Sequence, residues 1–349
     1  MGPEKRPTIS DVARAAAVSR TTVSHALNDR GYVDPGTKAR VHLAAKELGY
    51  RPSVRAQRLR AGSAQTLGLV ASMPASVAAG PSKLGFFMEV AASAAETALM
   101  SGFAMILVPP VQQQLELDQF DIDGAIVVEP EENDPATGRL RALGVPVVSL
   151  GRQPGAEAEI PYIDMQSYKT GKLLLEHLYQ QGARRIALFI GFEHRHSYID
   201  VARAYADFIS EYRLESLIVR LNEEEGEAGG YRASLALLKS HPSVDGICAL
   251  VDAFAVGVVR GLHELGRKVP EDVRVVTRYN GLRAQTCSPP LTAVNLNLAV
   301  AADLAVTLLL EHRRGDRSRH VVQCPDPELI PRASSVRLDS SSLEQDSHS

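Results

Sequence analysis

From residue 65 onward, short apolar runs rich in β-branched residues alternate with longer amphipathic segments, and the alternation continues for about 270 residues. Runs at 66–71, 104–108, 125–128, 146–149, 185–190, 217–220, 246–250 and 274–277 have the length of strands. Segments at 86–101, 168–181, 199–211, 230–239, 253–265 and 299–311 have helical spacing. Strands separated by helices pair in parallel, so this pattern demands parallel sheets covered by helices on both faces. That much of it implies two doubly wound lobes, with a ligand crevice at the carboxyl ends of their strands.

The first fifty residues follow another period. Thr8-Ile9-Ser10-Asp11 reads as a capping box, with Ile9, Val12, Ala13 and Ala16 at helical spacing behind it. Ala17-Val18 makes a short turn, and Ser19 caps a second helix from Arg20 to about Asn28, with Val23 and Leu27 on one face. Asp34-Pro35 opens a third helix that Gly49 stops. Two short helices joined by a tight turn, then a third, describe a helix-turn-helix head. Its second helix would enter a DNA major groove and present Arg20, Thr21, Thr22 and His25 to base edges.

Charge follows the same division. Residues 1–62 carry 12 Lys and Arg against 5 Asp and Glu, or +7; the remainder carries 26 against 36, or −10, and the two sum to the net −3. A basic head on an acidic body confines polyanion contact to the head, although a solvated basic face gives the same count. Between the two parts, Pro52 and Gly62 bracket room for a helix of about eight residues, too short to stand alone in water. Arg55, Arg58 and Arg60 around Leu59 suit a minor groove that an apolar wedge kinks open; a basic linker is the plainer alternative.

Three stretches resemble the lactose-repressor (LacI/GalR) family of bacterial transcription regulators: TISDVARAAAVSRTTVSHALN (8–28), GYVDPGTKARV (31–41) and ELGYRPSVRAQRLR (47–60). The body is similar to the family's effector domain, a relative of periplasmic sugar-binding proteins, in pieces such as IDGAIVV (122–128), HLYQQGARRIA (177–187), VDAFAVGVVRGL (251–262) and GRKVPEDVRVV (266–276). The resemblance covers roughly residues 8–336. It implies a fold of an all-α helix-turn-helix head plus an α/β, type I periplasmic-binding-protein-like body of two doubly wound parallel-sheet lobes. Residues 1–50 would form the head, 51–63 a hinge helix, 64–338 the effector-binding and dimerisation domain, and 339–349 a disordered tail. Lobe one would take 64–163 plus 292–318, and lobe two 164–291 plus 319–338.

The resemblance further implies a homodimer on a palindromic double-stranded operator, acting as a repressor in the cytoplasm under a small-molecule effector such as a sugar. The expected DNA contacts are Thr8, Ser19, Arg20, Thr21, Thr22, Ser24, His25, Asn28 and Tyr32, with Arg55, Ala56, Arg58, Leu59 and Arg60 in the hinge. One departure is Ala17, where the family usually has Gly in the turn; a positive φ there would cost of order 1 kcal/mol.

The effector pocket departs further. The expected contacts are Phe86, Arg152, Phe192, Tyr198, Asp252, Tyr279 and Asn280. Asp252 matches an acidic residue that accepts hydroxyl hydrogen bonds in sugar-binding members, but it serves equally as an N-cap. The family's pocket arginine aligns with Val201, its Asp-Asn pair with Gln166-Ser167, and its Gly-aromatic-Asp-Asp turn with Arg278-Tyr279-Asn280-Gly281. These changes weaken transfer of a sugar ligand and leave open an unusual effector, or none. Glu223-Glu224-Glu225 reads as a solvated loop, and Glu193-His194-Arg195-His196 as a loop without metal-ligand spacing.

Other function classes lack a motif. Neither G-x-G-x-x-G after a strand nor G-x-x-x-x-G-K-[ST] occurs, so no nucleotide cofactor is expected. No catalytic constellation stands out, and an enzyme is not expected. Cys248, Cys287 and Cys324 show no metal spacing, and the polar first residues carry no apolar signal core. No membrane span is expected. The competing reading is a soluble ligand-binding protein whose head is incidental.

Overall fold

A computed structural model describes residues 7–28, 31–50, 63–78, 85–108 and 119–336. The chain divides into two compact units, residues 1–64 and 65–349. The hinge residues Arg55, Ala56, Arg58, Leu59 and Arg60 and the expected tail at 339–349 lie outside the described residues.

The head contains α1 (Ile9–Ala15), α2 (Arg20–Leu27) and α3 (Pro35–Glu47). Each begins at a side-chain cap. Asp11 Oδ2 accepts the Thr8 amide at 2.9 Å, Ser19 Oγ accepts the Thr22 amide at 3.0 Å, and Asp34 Oδ2 accepts the Thr37 amide at 2.9 Å. Val12, Ala13 and Ala16 meet Val23 and Ala26 of α2 and Val41, Ala44 and Ala45 of α3 in one apolar core. The turn between α1 and α2 places Ala17 at φ +53°, the left-handed conformation for which glycine is the usual residue.

Among its described residues the body holds two six-stranded sheets. Strands β1 (Thr66–Ala71), β2 (Ala104–Val108), β3 (Gly124–Val128), β4 (Val147–Leu150), β5 (Tyr162–Asp164) and β11 (Val321–Gln323) form the first, in the order β11-β5-β4-β3-β1-β2. All its pairings are parallel. Strands β6 (Ile186–Gly191), β7 (Leu217–Leu221), β8 (Gly246–Ala249), β9 (Arg274–Tyr279), β10 (Thr292–Asn295) and β12 (Glu328–Ile330) form the second, in the order β12-β10-β9-β8-β6-β7. It is parallel except for β10 against β12.

The helices, numbered on along the chain, are α4 (Ala75–Ala78), α5 (Phe86–Met100), α6 (Pro135–Ala142), α7 (Ser167–Gln180), α8 (His196–Tyr212), α9 (Gly226–Ser240), α10 (Asp252–Glu264), α11 (Leu282–Thr286) and α12 (Leu298–Arg313). In each sheet a strand early in its lobe, β1 or β6, sits between the next two. The order therefore reverses beside it, and crevices open at the carboxyl ends on either side.

The lobe boundaries fall later than expected. Strand β10, at 292–295, belongs to the second sheet, and β11, at 321–323, belongs to the first. Strands of three or four residues carry too little alternation to place from sequence. The chain crosses between lobes near 164–167, 295–298 and 323–328, and the first two crossings are built alike. Gln166 and Asn297 both adopt left-handed φ, at +52° and +53°. Each donates its amide to the side chain two residues back, Asp164 at 2.9 Å and Asn295 at 3.0 Å. Each side chain also reaches a carbonyl of the third crossing, Cys324 at 2.6 Å and Asp326 at 3.1 Å.

Helix α9 begins at Gly226, four residues before the expected start. Glycines on both helices let α9 and α10 approach closely: a Cβ on Gly230 of α9 would lie 2.2 Å from the Phe254 carbonyl oxygen, and one on Gly257 of α10 would lie 2.0 Å from that of Glu227. Glycine weakens a helix taken alone, so only the helix–helix contact accounts for this start.

Candidate functional site

In the head, α2 turns Val23 and Ala26 into the core and leaves Arg20, Thr21 and His25 exposed, with Thr22, Ser24 and Asn28 half-buried beside them. Asn28 Nδ2 donates to the Ser24 carbonyl at 2.6 Å and closes the helix at its C-terminal end. Exposed Thr8 and Ser19 stand at helix N-termini, where backbone N–H groups favour an anion. Tyr32 is 92% exposed.

In the body, a small cavity of about 40 Å3 lies where the strand ends of the two lobes meet. Met73, Val77 and Phe86 line it from lobe one, and Leu250 and Val251 from lobe two. Among them stand buried charges. Glu129 follows β3 in lobe one, and its Oε1 and Oε2 accept from lobe two: Arg278 Nη2 at 2.5 Å and Ser197 Oγ at 2.7 Å. Its backbone carbonyl accepts from Arg195 Nη1 at 2.5 Å. These bonds hold Glu129 at φ +52°, a conformation that costs a residue with a Cβ roughly 1–2 kcal/mol.

Arg195 also donates to Ser72 Oγ of lobe one at 3.0 Å and to Glu223 at 3.0 and 3.1 Å. Tyr198 donates its hydroxyl to the same Glu223. Further out, Arg152 reaches Asp200 at 2.7 Å and Tyr279 reaches Glu89 at 2.6 Å, each across the lobes. Arg278 lies 5.9 Å from the Phe86 ring centre, and Phe86 meets Tyr279 edge to face at 5.4 Å.

The titration behaviour follows from burial and pairing. Burial pushes the Glu129 carboxyl up, but the charges of Arg278 and His196, with the hydrogen bonds from Arg278 and Ser197, outweigh it and hold Glu129 below the ordinary carboxylate value. Burial lowers His196, and the charges of Glu129 and Asp200 only partly offset this. Burial raises Asp252 against the pull of Arg283.

Of the residues expected to contact an effector, Phe86, Tyr198, Asp252 and Tyr279 line the cavity. Arg152 sits outside it with Asp200 and Glu157. Phe192 is 60% exposed. Asn280 turns to Arg332 and Gln285. Asp252 opens α10 at its first helical position rather than as the N-cap; its Oδ1 accepts the Ala253 amide at 2.7 Å and Arg283 Nη1 at 3.2 Å.

Four charged lining residues, Glu129, Arg195, Glu223 and Arg278, were not among the expected contacts. Glu223 is 1% exposed, not solvated, because the Arg195 fork holds it. Arg195 is equally buried, and α8 starts directly after it. Arg278 registered only as a departure from the family turn. Glu129 had one signal, a lone acid at the end of an apolar strand. Among the described residues no cluster of His, Cys, Asp or Glu has the arrangement of a metal site.

The description "Bacterial regulatory proteins, lacI family" matches residues 8–53, and "Periplasmic binding protein-like domain" matches residues 175–335. The HTH-type transcriptional regulator AglR of Rhizobium meliloti (strain 1021) is 30% identical over 308 residues, covering 84% of each chain. The chain belongs to the lacI family. As a lacI-family member it is a DNA-binding transcriptional regulator, and its relatives are regulators rather than enzymes. HTH-type transcriptional regulator CelR of Thermobifida fusca is 28% identical over 95% of this chain and 98% of its own length.

Among solved structures, a CelR–cellobiose complex matches with TM-score 0.69 at 26% identity, over 94% of this chain and all of that one. A lac repressor dimer bound to operator matches with TM-score 0.76 at 22% identity, over 95% and 100%, a likeness of fold. No helix among the described residues is long and apolar enough to cross a membrane.

Proposed function

We propose that this lacI-family member is a cytoplasmic repressor that binds a palindromic operator as a homodimer, with α2 of each head in a major groove. The observation that carries this reading is the exposed row Arg20, Thr21 and His25 on a capped helix whose other face is locked into an apolar core. Arg reads guanine O6 and N7 with its fork, and Thr offers a hydroxyl or a methyl to a base edge. Leu59, with Arg55, Arg58 and Arg60, opens a minor-groove step between the two heads. A small molecule in the inter-lobe cleft biases the lobe arrangement, and through it the hinge, by preferring one arrangement over the other. Support for a cleft ligand is the cavity at the strand ends and the cellobiose held by the CelR relative.

Gel shifts with specific and random duplexes across a salt series test the reading. Arg20→Ala changes which operator is bound, at a cost of roughly 1–3 kcal/mol of discrimination. Arg58→Ala weakens both duplexes evenly and lowers the salt slope. Equal loss on both duplexes for Arg20→Ala would remove the base-reading role. No sequence-specific band under any condition would favour a ligand-binding protein with an incidental head.

A further inference from the structure

Resting on the proposed cleft ligand, we infer that Arg278 and Ser197 of lobe two form a carboxylate seat, that Glu129 of lobe one fills it as a tethered stand-in, and that the effector is a small carboxylic acid with an apolar body that takes the seat by displacing Glu129.

The Glu129 carboxylate reaches across the lobe boundary and spreads its two oxygens over a guanidinium nitrogen and a hydroxyl, the set of donors that would hold a free carboxylate. The tether leaves the seat incomplete. Arg278 is 8% exposed, and its Nε is buried without a hydrogen-bond partner, while Nη2 alone serves Glu129. A guanidinium edge presents Nε and Nη2 side by side to a carboxylate. An untethered carboxylate can use both; Glu129, anchored at the end of β3, uses one. A free acid thus replaces the internal ligand like for like and gains a bond. As it enters, Glu129 passes to water as the lobes part.

A neutral polyol has no such exchange. Its hydroxyls can bond Arg278 and Glu129 but bring no opposite charge, so each buried ion would lose the charge it is now paired with, which low-dielectric surroundings penalise. Leu250 and Val251, beside the seat on lobe two, would hold the apolar body of the acid. Arg278 stands where the family turn it resembles has glycine, so the guanidinium of the seat is a departure from that turn.

The test uses the full-length protein, its Glu129→Ala and Glu129→Gln variants, and each combined with Arg278→Met. Thermal shift and calorimetry are run with acetate, benzoate and glucose against chloride at matched ionic strength. Truncation to Ala removes the atoms of an acetate ion, so acetate restores the melting temperature of Glu129→Ala saturably. Glu129→Gln keeps the shape and removes the competing charge, and it binds benzoate at least about tenfold more tightly than the parent protein does. Arg278→Met abolishes both effects. The seat is refuted if the Glu129 variants respond to carboxylates no more than to chloride, or if glucose stabilises the parent protein as strongly as benzoate. An operator band run in parallel separates the failures. Carboxylate-insensitive variants that still shift operator overturn the seat alone, whereas loss of any specific band in the parent protein overturns the regulator reading beneath it.

Discussion

The head and the body bury different kinds of side chain. Among the described residues of the head, every buried side chain is apolar, and the polar groups stay at helix ends as caps. The body buries Glu129, Arg195, Glu223, Asp252 and Arg278 around one cleft, each held by partners from distant segments. An apolar core with local caps tolerates change in small steps. A buried ion-pair network does not, because removing one partner strands the other charge in low dielectric. The head is thus organised by short-range rules, and the body's centre by long-range pairing.

The strongest challenge to this contrast is Arg195→Met. It strands Glu223, and the body should lose about 3–5 kcal/mol in urea unfolding. Replacing both partners, as Arg195→Met with Glu223→Leu, should recover most of that loss. A single variant as stable as the parent protein would mean that the pair carries little.

A smaller effect comes with pH. Burial lowers the folded-state pKa of His196 and His177 below 6.5. The unfolded chain therefore takes up protons first as pH falls, and the stability from the neutral rings is full above about pH 6.5 and drains below it. Glu129, also lowered, adds loss in the same direction below about pH 4.5. The body's melting temperature should fall between pH 7 and 5, at most ~1.4 kcal/mol per histidine per unit. A flat profile in His196→Gln with His177→Gln would assign the fall to these rings; an unchanged fall would break the assignment.

The smallest effect belongs to the head. Ala17→Gly relieves the left-handed turn at φ +53° and should stabilise the head by up to about 1 kcal/mol. It would appear as slower amide exchange across residues 9–27 in the full chain. Faster exchange would show that the methyl packs to advantage there.

The elements of the head were legible because each depends on neighbours three or four residues away. Thr8, Ser19 and Asp34 announce helix starts, and Gly49 an end. Most body strands were legible for the same reason, since a buried parallel strand is a continuous apolar run. The early start of α9 was not, because Gly226, Gly229 and Gly230 argue locally against a helix, and the close packing of Gly230 on α10 is a tertiary contact. That Phe86, Tyr198, Asp252 and Tyr279 would line the cleft was legible from their places near strand ends or in the family resemblance. Glu223 hid in a run of three acids and Arg195 in a polar stretch, where nothing local separates a buried charge from a solvated one.

The sequence by itself determined a capped, basic three-helix head and a body of two parallel sheets, because caps, periods and charge are properties of neighbouring residues. Only the tertiary structure decided what fills the cleft. Glu129 comes from the residue after β3, Arg195 and Ser197 from the junction into α8, Glu223 from the turn after β7, and Arg278 from β9. A buried charge is stable only beside its partner, and no local pattern records which distant segment will supply it.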